Sequence, residues 1–527
     1  MPEATKQQLQ TLQQALQEVG LHRRINTDPA LLALYDHDVF FQAAHRPLAV
    51  LQPRRCDEIG PLVTCAGGSE LSIEVRAGGL SYSGGYLPQN ATSVILDVSL
   101  LNGIDYAHQT TDIVVVEAGA TWQQLDDFLH GSGMRPALSA PFSGSVSTIG
   151  GAIRQGLPAD MHAVLALEII AADGTVFHTG SLATDALSCS AWRGQGPDLT
   201  GLFIGDCGAL GILGRAWIKL EPQPLHRRFF ACAVNAPDEY LSLLEALAPL
   251  PGNYRAYCFD PGRSKNLQTQ GFWQQLRTGA RVLLGKSNPL QTVQSAGQMF
   301  RTLLQWRDTA LSGTWGVHVI CESHCRQEAN ALERRAADTA ASRGFRRLTT
   351  SVAEVLNTRP YSVRGMLGRR YERWLPAHGI FPLAARRKLG ATLLKALDDI
   401  RRRLGPERVE CHMLLINAGR HHVLIEPMFL WDGELYPLHL KHCPQAEQKS
   451  PPANHPVSDT EIWEARKDLV ALMDSLGAQH VQLGRSYEYL SRLNPVTRRL
   501  IRQLKRGVDP GNTLAPGILG LTTKEDA

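Results

Sequence analysis

Arg76-Ala77-Gly78-Gly79-Leu80-Ser81-Tyr82-Ser83-Gly84-Gly85-Tyr86 follows directly on the apolar run LSIEV (71–75) and sets four glycines and two serines into one bend. Glycine takes either sign of φ at little cost, so successive main-chain amides of such a bend can turn toward one point and form a concavity for an anion such as a pyrophosphate. A single bend of this kind also reads as a tight β-turn. Two more change the balance. Pro141-Phe142-Ser143-Gly144-Ser145-Val146-Ser147-Thr148-Ile149-Gly150-Gly151-Ala152 and Gly205-Asp206-Cys207-Gly208-Ala209-Leu210-Gly211-Ile212 also lie at strand ends. Three glycine-rich loops in one domain can wrap an extended, phosphate-bearing ligand.

The segments between the loops read as strands and short helices. SVILDV (93–98), IVVVEA (113–118) and GILGRAWIKLEP (211–222) are β-rich. Thr121-Trp122-Gln123-Gln124 is a capping box that satisfies the first orphan amides of a helix, and Asp173-Gly174 within VLALEIIAADGTVFHTG (164–180) predicts a hairpin. An α+β domain results. Ahead of it, TKQQLQTLQQALQEV (5–19) repeats Leu at helical spacing and predicts a packed amphipathic helix. After Pro222-Gln223-Pro224 the pattern alternates strands such as RFFACAV, TWGVHVI, HMLLI and HHVLIEP with Arg-rich helices, a second domain. CPQAEQKSPPANHPVSD (443–459) is a polar, Pro-rich connection. Beyond it the sequence predicts a helix, a short strand at AQHVQLG, a basic helix TRRLIRQLKR and a Pro/Gly tail.

The chain has 527 residues, 54 Lys and Arg against 50 Asp and Glu, and a formal charge of +4. That balance argues against a dedicated nucleic-acid binder. The N-terminus MPEATKQQLQ is polar, and no run approaches the roughly 20 apolar residues of a membrane helix. A soluble, cytoplasmic protein without membrane insertion is expected, its ten scattered cysteines reduced and mostly buried.

The ordered motifs RAGGLSYSGG, SVILDVSLLNGI, VVVEAGATWQQLDDFL, PFSGSVSTIGGAI, LEIIAADGTVFHTG and DLTGLFIGDCGALGILGRAWIKL resemble the PCMH-type FAD-binding domain of the vanillyl-alcohol oxidase and p-cresol methylhydroxylase family. LKRGVDPGNTLAPGILGL near the C-terminus is similar to the tail with which that family returns to its FAD domain. The likeness covers 47–222 and 477–520, and the middle resembles the family's cap only loosely. It implies an α+β fold in four parts: an N-terminal helical segment (1–46), a two-subdomain FAD-binding domain (47–223), an α+β cap over the substrate (224–450), and a C-terminal segment (451–527) packing back on the FAD domain. Carried over by position, Ala77, Gly78, Gly79, Leu80, Ser81 and Tyr82 cradle the pyrophosphate. Pro141, Ser143, Gly144, Ser147, Thr148, Gly150 and Gly151 line ribityl and ring, and Gly211 with Ile212 meets the adenine side. Relatives that tether flavin covalently place a His where Leu80 stands and a Cys that the Pro141 loop lacks. Noncovalent FAD is therefore expected, a tether from a cap His or Tyr being the alternative. The implied activity is FAD-dependent oxidation of a small 2-hydroxy acid or alcohol by hydride transfer to flavin N5. Oxidation of a para-substituted phenol through a quinone methide fits the likeness equally well, and a flavin-binding module without turnover is the reading from another class. The electron acceptor (oxygen, quinone or cytochrome) is not written in the residues, nor is the assembly, for which a homodimer stays open.

Such chemistry needs a proton acceptor and a group that offsets charge on the reduced ring. The run Gln479–Tyr489 is the richest supply. As a strand it puts His480 and Gln482 on one face, making His480 the candidate base or hydrogen-bond donor and Arg485 the cation for a carboxylate or for reduced flavin. Tyr487 and Tyr489 offer phenols, and Gln482 and Tyr489 are candidate substrate contacts. A half-buried strand end whose polar groups bond the backbone is the plainer reading. The cap offers Arg359, Tyr361 and Arg364, then His378 in the rigid loop Trp374–Pro382, and Glu426 in an apolar strand, where a carboxylate must be paired or functional. Its many arginines favour an anionic substrate. Among competing motifs, Gly285-Lys286-Ser287 has Ala280 where a phosphate loop needs its first glycine. His318, Cys321, His324 and Cys325, and the looser set His412, His421, His422, His439 and His442, lack metal-ligand spacing, so no metal is expected. The basic helix Thr497–Arg506 reads as a solvated face, membrane-surface docking being the weaker alternative.

Overall fold

Three sheets carry the chain in the computed structural model, which describes residues 2–107, 112–138, 142–157, 161–184, 191–194, 196–262, 314–358, 361, 367–368, 371–383, 388–444, 446 and 457–522. The first contains β1 (Ile25–Asn26), β2 (Val50–Leu51), β3 (Ser72–Arg76) and β4 (Ser93–Asp97), in the order β1-β2-β4-β3. Its last three strands run parallel. The free edge of β3 is taken by the C-terminal tail: Ile73 donates to the Thr513 carbonyl at 2.7 Å and accepts from Ala515 at 2.8 Å.

The second sheet is antiparallel and holds β5 (Ile104–Tyr106), β6 (Ile113–Glu117), β7 (Met134–Pro136), β8 (Val164–Ile170), β9 (Val176–His178) and β10 (Ile212–Pro222). Its order is β5-β6-β10-β8-β9, with β7 on the end of β10. The expected hairpin joins β8 to β9, with Gly174 at φ +87° in its turn. The capping box at Thr121 opens the helix Trp122–Phe128 with both reciprocal bonds formed. One core unites both sheets, the N-terminal helix Glu3–Glu18 through Leu12 and Leu16, and the tail through Leu514 and Ile518.

The third sheet contains β11 (His226–Val234), β12 (Asn253–Phe259), β13 (Trp315–Ser323), β14 (Arg346–Arg347), β15 (Arg373–Pro376), β16 (Gly379–Pro382), β17 (Val409–Ala418) and β18 (His422–Trp431). All its pairings are antiparallel, in the order β14-β11-β13-β12-β17-β18-β15, with β16 also on β18. Strand alternation divides its faces. Val317, Val319, Met413 and Leu415 pack under the helices Pro237–Leu247, Arg326–Ser342 and Leu389–Leu404, whereas Tyr257, Leu414 and Met428 form a smaller cluster that Phe142 of the second glycine loop packs against. That second face looks toward the glycine-rich loops.

The strand expected at AQHVQLG does not form. A single bridge joins Gln479 to Ile380, after which Gln482 takes φ +55°, a left-handed conformation that no extended strand can continue through. His480 and Gln482 therefore do not share a strand face.

On the third sheet His412 lies 8% exposed between Asp260 (3.1 Å) and Glu410 (3.3 Å). Burial resists its charge, but the two carboxylates outweigh burial and raise its pKa to about 9. The stabilisation is complete below the ordinary histidine value near 6.5 and is lost as pH rises through about 9. His412→Asn should therefore lower stability by on the order of 3 kcal/mol at pH 6 and by much less above pH 9, as read from denaturant melts at both pH values.

Candidate active site

The first glycine loop is held rigid from beneath. Arg76 lies between the rings of Tyr35 and Tyr86, 4.5 and 5.0 Å from their centroids, and the Tyr86 hydroxyl donates to the Gly79 carbonyl at 2.6 Å. Gly79 sits at φ +72°, and a Cβ there would fall 2.5 Å from the Arg76 guanidinium. Asp38 accepts from the Gly84 amide at 2.7 Å. Arg485 donates to the Gly84 carbonyl at 2.5 Å and reaches the fully buried Glu74 at 3.3 Å. Burial lifts the Glu74 carboxyl to about 7, with Arg485 opposing. With its base so fixed, the loop leaves the amides of Gly78, Gly79, Leu80, Ser81 and Tyr82 without a hydrogen-bond acceptor among the described residues.

The second loop meets the first directly. A Cβ on Gly78 would lie 2.5 Å from the Val146 carbonyl oxygen, and one on Gly150 would lie 2.5 Å from that of Ala118. The Thr148 side chain caps the helix Ile149–Arg154 through the Gly151 amide at 3.0 Å. At the third loop Arg154 bonds Asp206 (2.6 Å), the Phe203 carbonyl (3.1 Å) and the Gly211 carbonyl (2.5 Å).

Between these loops and the third sheet lies one cavity of about 870 Å³, near the upper end of the range for ligand sites. Its fit to FAD can be judged from the protein alone. Among the described residues five successive amides await an acceptor and the cavity-lining Ser147 has a buried hydroxyl without a partner, while the bends at Gly78 and Val146 close on each other. These features suit a dinucleotide laid along both loops.

The facing wall carries polar chemistry. The Tyr82 hydroxyl lies 3.0 Å from His378 Nε2, and Glu426 Oε2 lies 3.5 Å from the same nitrogen. Trp374 stands edge-on to the Tyr82 ring at 5.1 Å. Burial pushes the Tyr82 phenol well above its ordinary value, and the Glu426 charge adds to the effect. Further along, three guanidiniums converge on the 2% exposed Glu322: Arg135 at 2.8 Å, Arg227 at 3.1 Å and Arg255 at 3.1 Å. Arg135 also pairs with Glu221 at 2.8 Å. Burial resists ionisation of Glu322, but Arg255 and Arg135 prevail and hold it below the usual carboxylate range. Within this cluster three guanidiniums share two carboxylates, a local surplus of one positive charge.

The structure brings Ala77, Gly78, Gly79, Leu80, Ser81, Tyr82, Ser143, Ser147, Thr148, Gly150, Gly151, Gly211, Ile212, His378 and Gln482 to the cavity. Gly144 backs onto it, beneath the ring of Tyr361. Pro141, Arg359, Arg364 and the Gly285-Lys286-Ser287 triplet lie outside the described residues. Four expected site residues do not reach the cavity. His480 has Nδ1 2.5 Å from the His378 carbonyl oxygen and Nε2 2.6 Å from Asp474. Tyr487 accepts from the His378 amide at 2.8 Å and stacks on His480. Arg485 lies behind the first loop, and Tyr489 packs against the core beneath it. His480 and Tyr487 thus grip the main chain of His378 from both sides, which corrects the expectation that they face a substrate. The arginine wall escaped sequence reading because Arg135, Arg227 and Arg255 lie on separate strands with no motif between them. Among the described residues no cluster of three or more His, Cys, Asp or Glu is arranged to hold a metal ion.

Residues 47–180 match the family model of an FAD binding domain. The chain carries an FAD-binding domain. Over 202 residues it is 30% identical to glycolate oxidase subunit GlcD of Bacillus subtilis, covering 36% of this chain and 40% of that protein. It is 29% identical over 213 residues to mitochondrial D-2-hydroxyglutarate dehydrogenase of Arabidopsis thaliana, covering 39% and 36%. The chain thus matches about two fifths of the length of these curated relatives. Solved structures resemble it end to end. 4-Ethylphenol oxidase from Gulosibacter chungangensis superposes with a TM-score of 0.73 at 18% identity, covering 98% of each chain. p-Cresol methylhydroxylase does so with a TM-score of 0.71 at 17% identity, covering 100% of this chain and 99% of the other. The fold around the FAD-binding domain, cap sheet included, is therefore the one those proteins share.

Gly78→Ala should leave the chain folded but cut the flavin retained through purification at least tenfold, because the new methyl meets a main-chain carbonyl that cannot swing aside. Gly507→Ala, where a Cβ meets open space, should keep the parent ratio of flavin to protein absorbance.

Proposed function

We propose that the chain is an FAD-dependent oxidoreductase that takes two electrons from a small 2-hydroxy acid, with the FAD held noncovalently. One observation carries this reading: a single cavity has unpaired amides of the FAD-binding domain on one wall and a His–Tyr–carboxylate cluster with a cationic patch on the other. Bound FAD would supply the two-electron acceptor, a task no side chain performs. The protein's own work is to hold the acid and move its hydroxyl proton. His378 Nε2, between Tyr82 and Glu426, takes that proton, and the Glu426 carboxylate steadies the imidazolium that results. Tyr82 keeps its own proton, since burial pushes its pKa up, and serves as a hydrogen-bond donor. The surplus charge of the Arg135, Arg227 and Arg255 wall attracts a carboxylate into the cavity. Glycolate and D-2-hydroxyglutarate, for which the relatives are named, are both 2-hydroxy acids. Leu80 offers no nucleophile at the first loop, in keeping with a flavin that acid precipitation would release.

A second reading has its own support. Tyr82, Phe142, Tyr257 and Trp374 give the cavity an aromatic wall, and the whole-chain likeness includes enzymes named for phenols. Anaerobic titration with glycolate, D-lactate and vanillyl alcohol separates the two: bleaching of the flavin by the hydroxy acids alone supports the first reading, by the phenol alone the second. A yellow protein that none of them bleaches would point to flavin binding without turnover. His378→Ala should slow bleaching by about 10²–10⁴-fold at unchanged flavin content. His480→Ala, which loosens the same loop without removing the base, should slow it less.

A further inference from the structure

Strand register in the third sheet fixes what stands where along the floor of the cavity. Phe259 of β12, Leu414 of β17 and Glu426 of β18 form one row across the strands, and Tyr257, Ile416 and Leu424 form a parallel row. Arg255 follows two residues beyond Tyr257 on the same face of β12, and two further on Asn253 stands opposite Glu322 of β13, which is itself opposite Arg227 of β11. Residues opposite one another, or two apart on one strand, share a face of the sheet. The floor therefore changes character along its length. His378 and Glu426 mark one end, Tyr257, Leu356, Leu414, Ile416 and Leu424 make an apolar middle, and Arg135, Arg227 and Arg255 close the other end.

The two ends are well separated. A strand spacing of about 4.8 Å and a rise of about 3.3 Å per residue put the Cα atoms of Arg255 and Glu426 roughly 16 Å apart. The guanidinium does not lean back across that gap, because Nη2 is bonded to Glu322 at 3.1 Å and to Asn357 at 2.8 Å, and Glu322 lies farther still from the Glu426 row. Each arginine of the cluster is paired, and what distinguishes this end is the count. Arg135, Arg227 and Arg255 share Glu322, and Arg135 also holds Glu221. Beside them Arg420, likewise at the cavity, donates to the carbonyls of Ala248, Leu250 and Gly252. Of the other acids lining the cavity, Glu426 belongs to His378, and Asp126 lies beside Asp127 and His130. Among the described residues, then, the cationic surplus sits at the end of the cavity remote from His378.

We propose that the substrate is a 2-hydroxy acid with an apolar body and a second acidic group at its far end. The hydroxyl-bearing carbon lies at His378, the body rests on the apolar floor, and the distal carboxylate meets the arginines. An acid as short as glycolate or D-lactate cannot reach both ends at once, so it gives up either the proton acceptor or the cations. Glu322 already holds the guanidiniums in place, so a second carboxylate arriving there orders little that is not ordered beforehand. An apolar chain between the two polar ends covers side chains that a shorter acid would leave to water. The inference rests on the 2-hydroxy acid reading and narrows it.

Binding and turnover are tested separately on the flavin-loaded full chain. Calorimetric titration with octanedioate and with octanoate reads the distal site without any reaction: the diacid should bind about tenfold more tightly or better, and the difference should shrink at high salt. In anaerobic bleaching, 2-hydroxyoctanedioate should reduce the flavin with a kcat/KM about tenfold or more above that of 2-hydroxyoctanoate, and further above that of glycolate. Arg255→Met should lower the affinity for octanedioate about tenfold at parental flavin content, and Arg255→Lys should lower it less. Equal affinity of the parent protein for the two acids overturns the proposal. So does an Arg255→Met variant that keeps both the parent's melting curve and its preference for the diacid. Loss of flavin from that variant also overturns it, by assigning the arginines to the cofactor. Tighter binding of the diacid with no bleaching by any hydroxy acid would support the two-ended site and overturn the redox reading alone.

Discussion

The approach of the Gly78 main chain to the carbonyl of Val146 is the constraint on which the site depends. Two bends far apart in sequence come within contact distance only because no side chain stands between them. Once they meet, amides that would otherwise turn to solvent point into one slot. A nest of this kind is costly to leave half-built, since buried amides without acceptors lose their water and gain nothing in exchange. The rigidity beneath the first loop therefore matters as much as the opening above it. Arg76 between two tyrosine rings, Tyr86 on Gly79, and Asp38 on Gly84 hold the amides aligned before any ligand arrives, so that a bound phosphate need not order them itself.

Buried charge does the work of joining sequence-distant segments. Arg485 binds Glu74 and the first loop to the C-terminal return. Arg154 binds the helix of the second loop to the third loop through Asp206. Lys505 fixes the terminal helix to both the third loop and the tail. Each is a pair whose desolvation offsets much of its Coulomb attraction. Their value lies less in stability than in register: a charged group paired inside a core tolerates one arrangement, where an apolar contact would accept several. The rise of Glu74 to about 7 and of Asp206 to about 6 shows how hard these positions resist ionisation even with a cation at hand.

What could be read from the residues follows from how local the physics is. The glycine loops, the Thr121 capping box and the Asp173-Gly174 turn are set by near neighbours in sequence, and each forms where it was expected. The tail's return was legible only through resemblance, because its pairing with Ile73 spans the whole chain. The arginine cluster was opaque for the same reason. Arg135, Arg227 and Arg255 come from three strands, and nothing in their spacing announces that they share Glu322. The run at 479–489 misled through its richness. Its His, Arg and Tyr side chains read as chemistry under a strand assumption, and the left-handed turn at Gln482 removed the alternation on which that assumption rested.

That misreading exposes a division of labour. The polar groups of 479–489 are spent on the main chain: His480 on the carbonyl of His378, Tyr487 on its amide, and Arg466, stacked over Tyr487, on the carbonyl of Pro376. A loop whose backbone bonds are all satisfied from behind has no need to spend its side chain on holding itself in place. The His378 imidazole is thereby left to meet Tyr82 and Glu426 at the cavity wall, and the residue that could exchange a proton there is the one whose neighbours carry its structural load. A catalytic side chain on a short loop between two strands requires such an arrangement, because the loop has too few contacts of its own to fix a ring to within the fraction of an ångström that proton transfer demands.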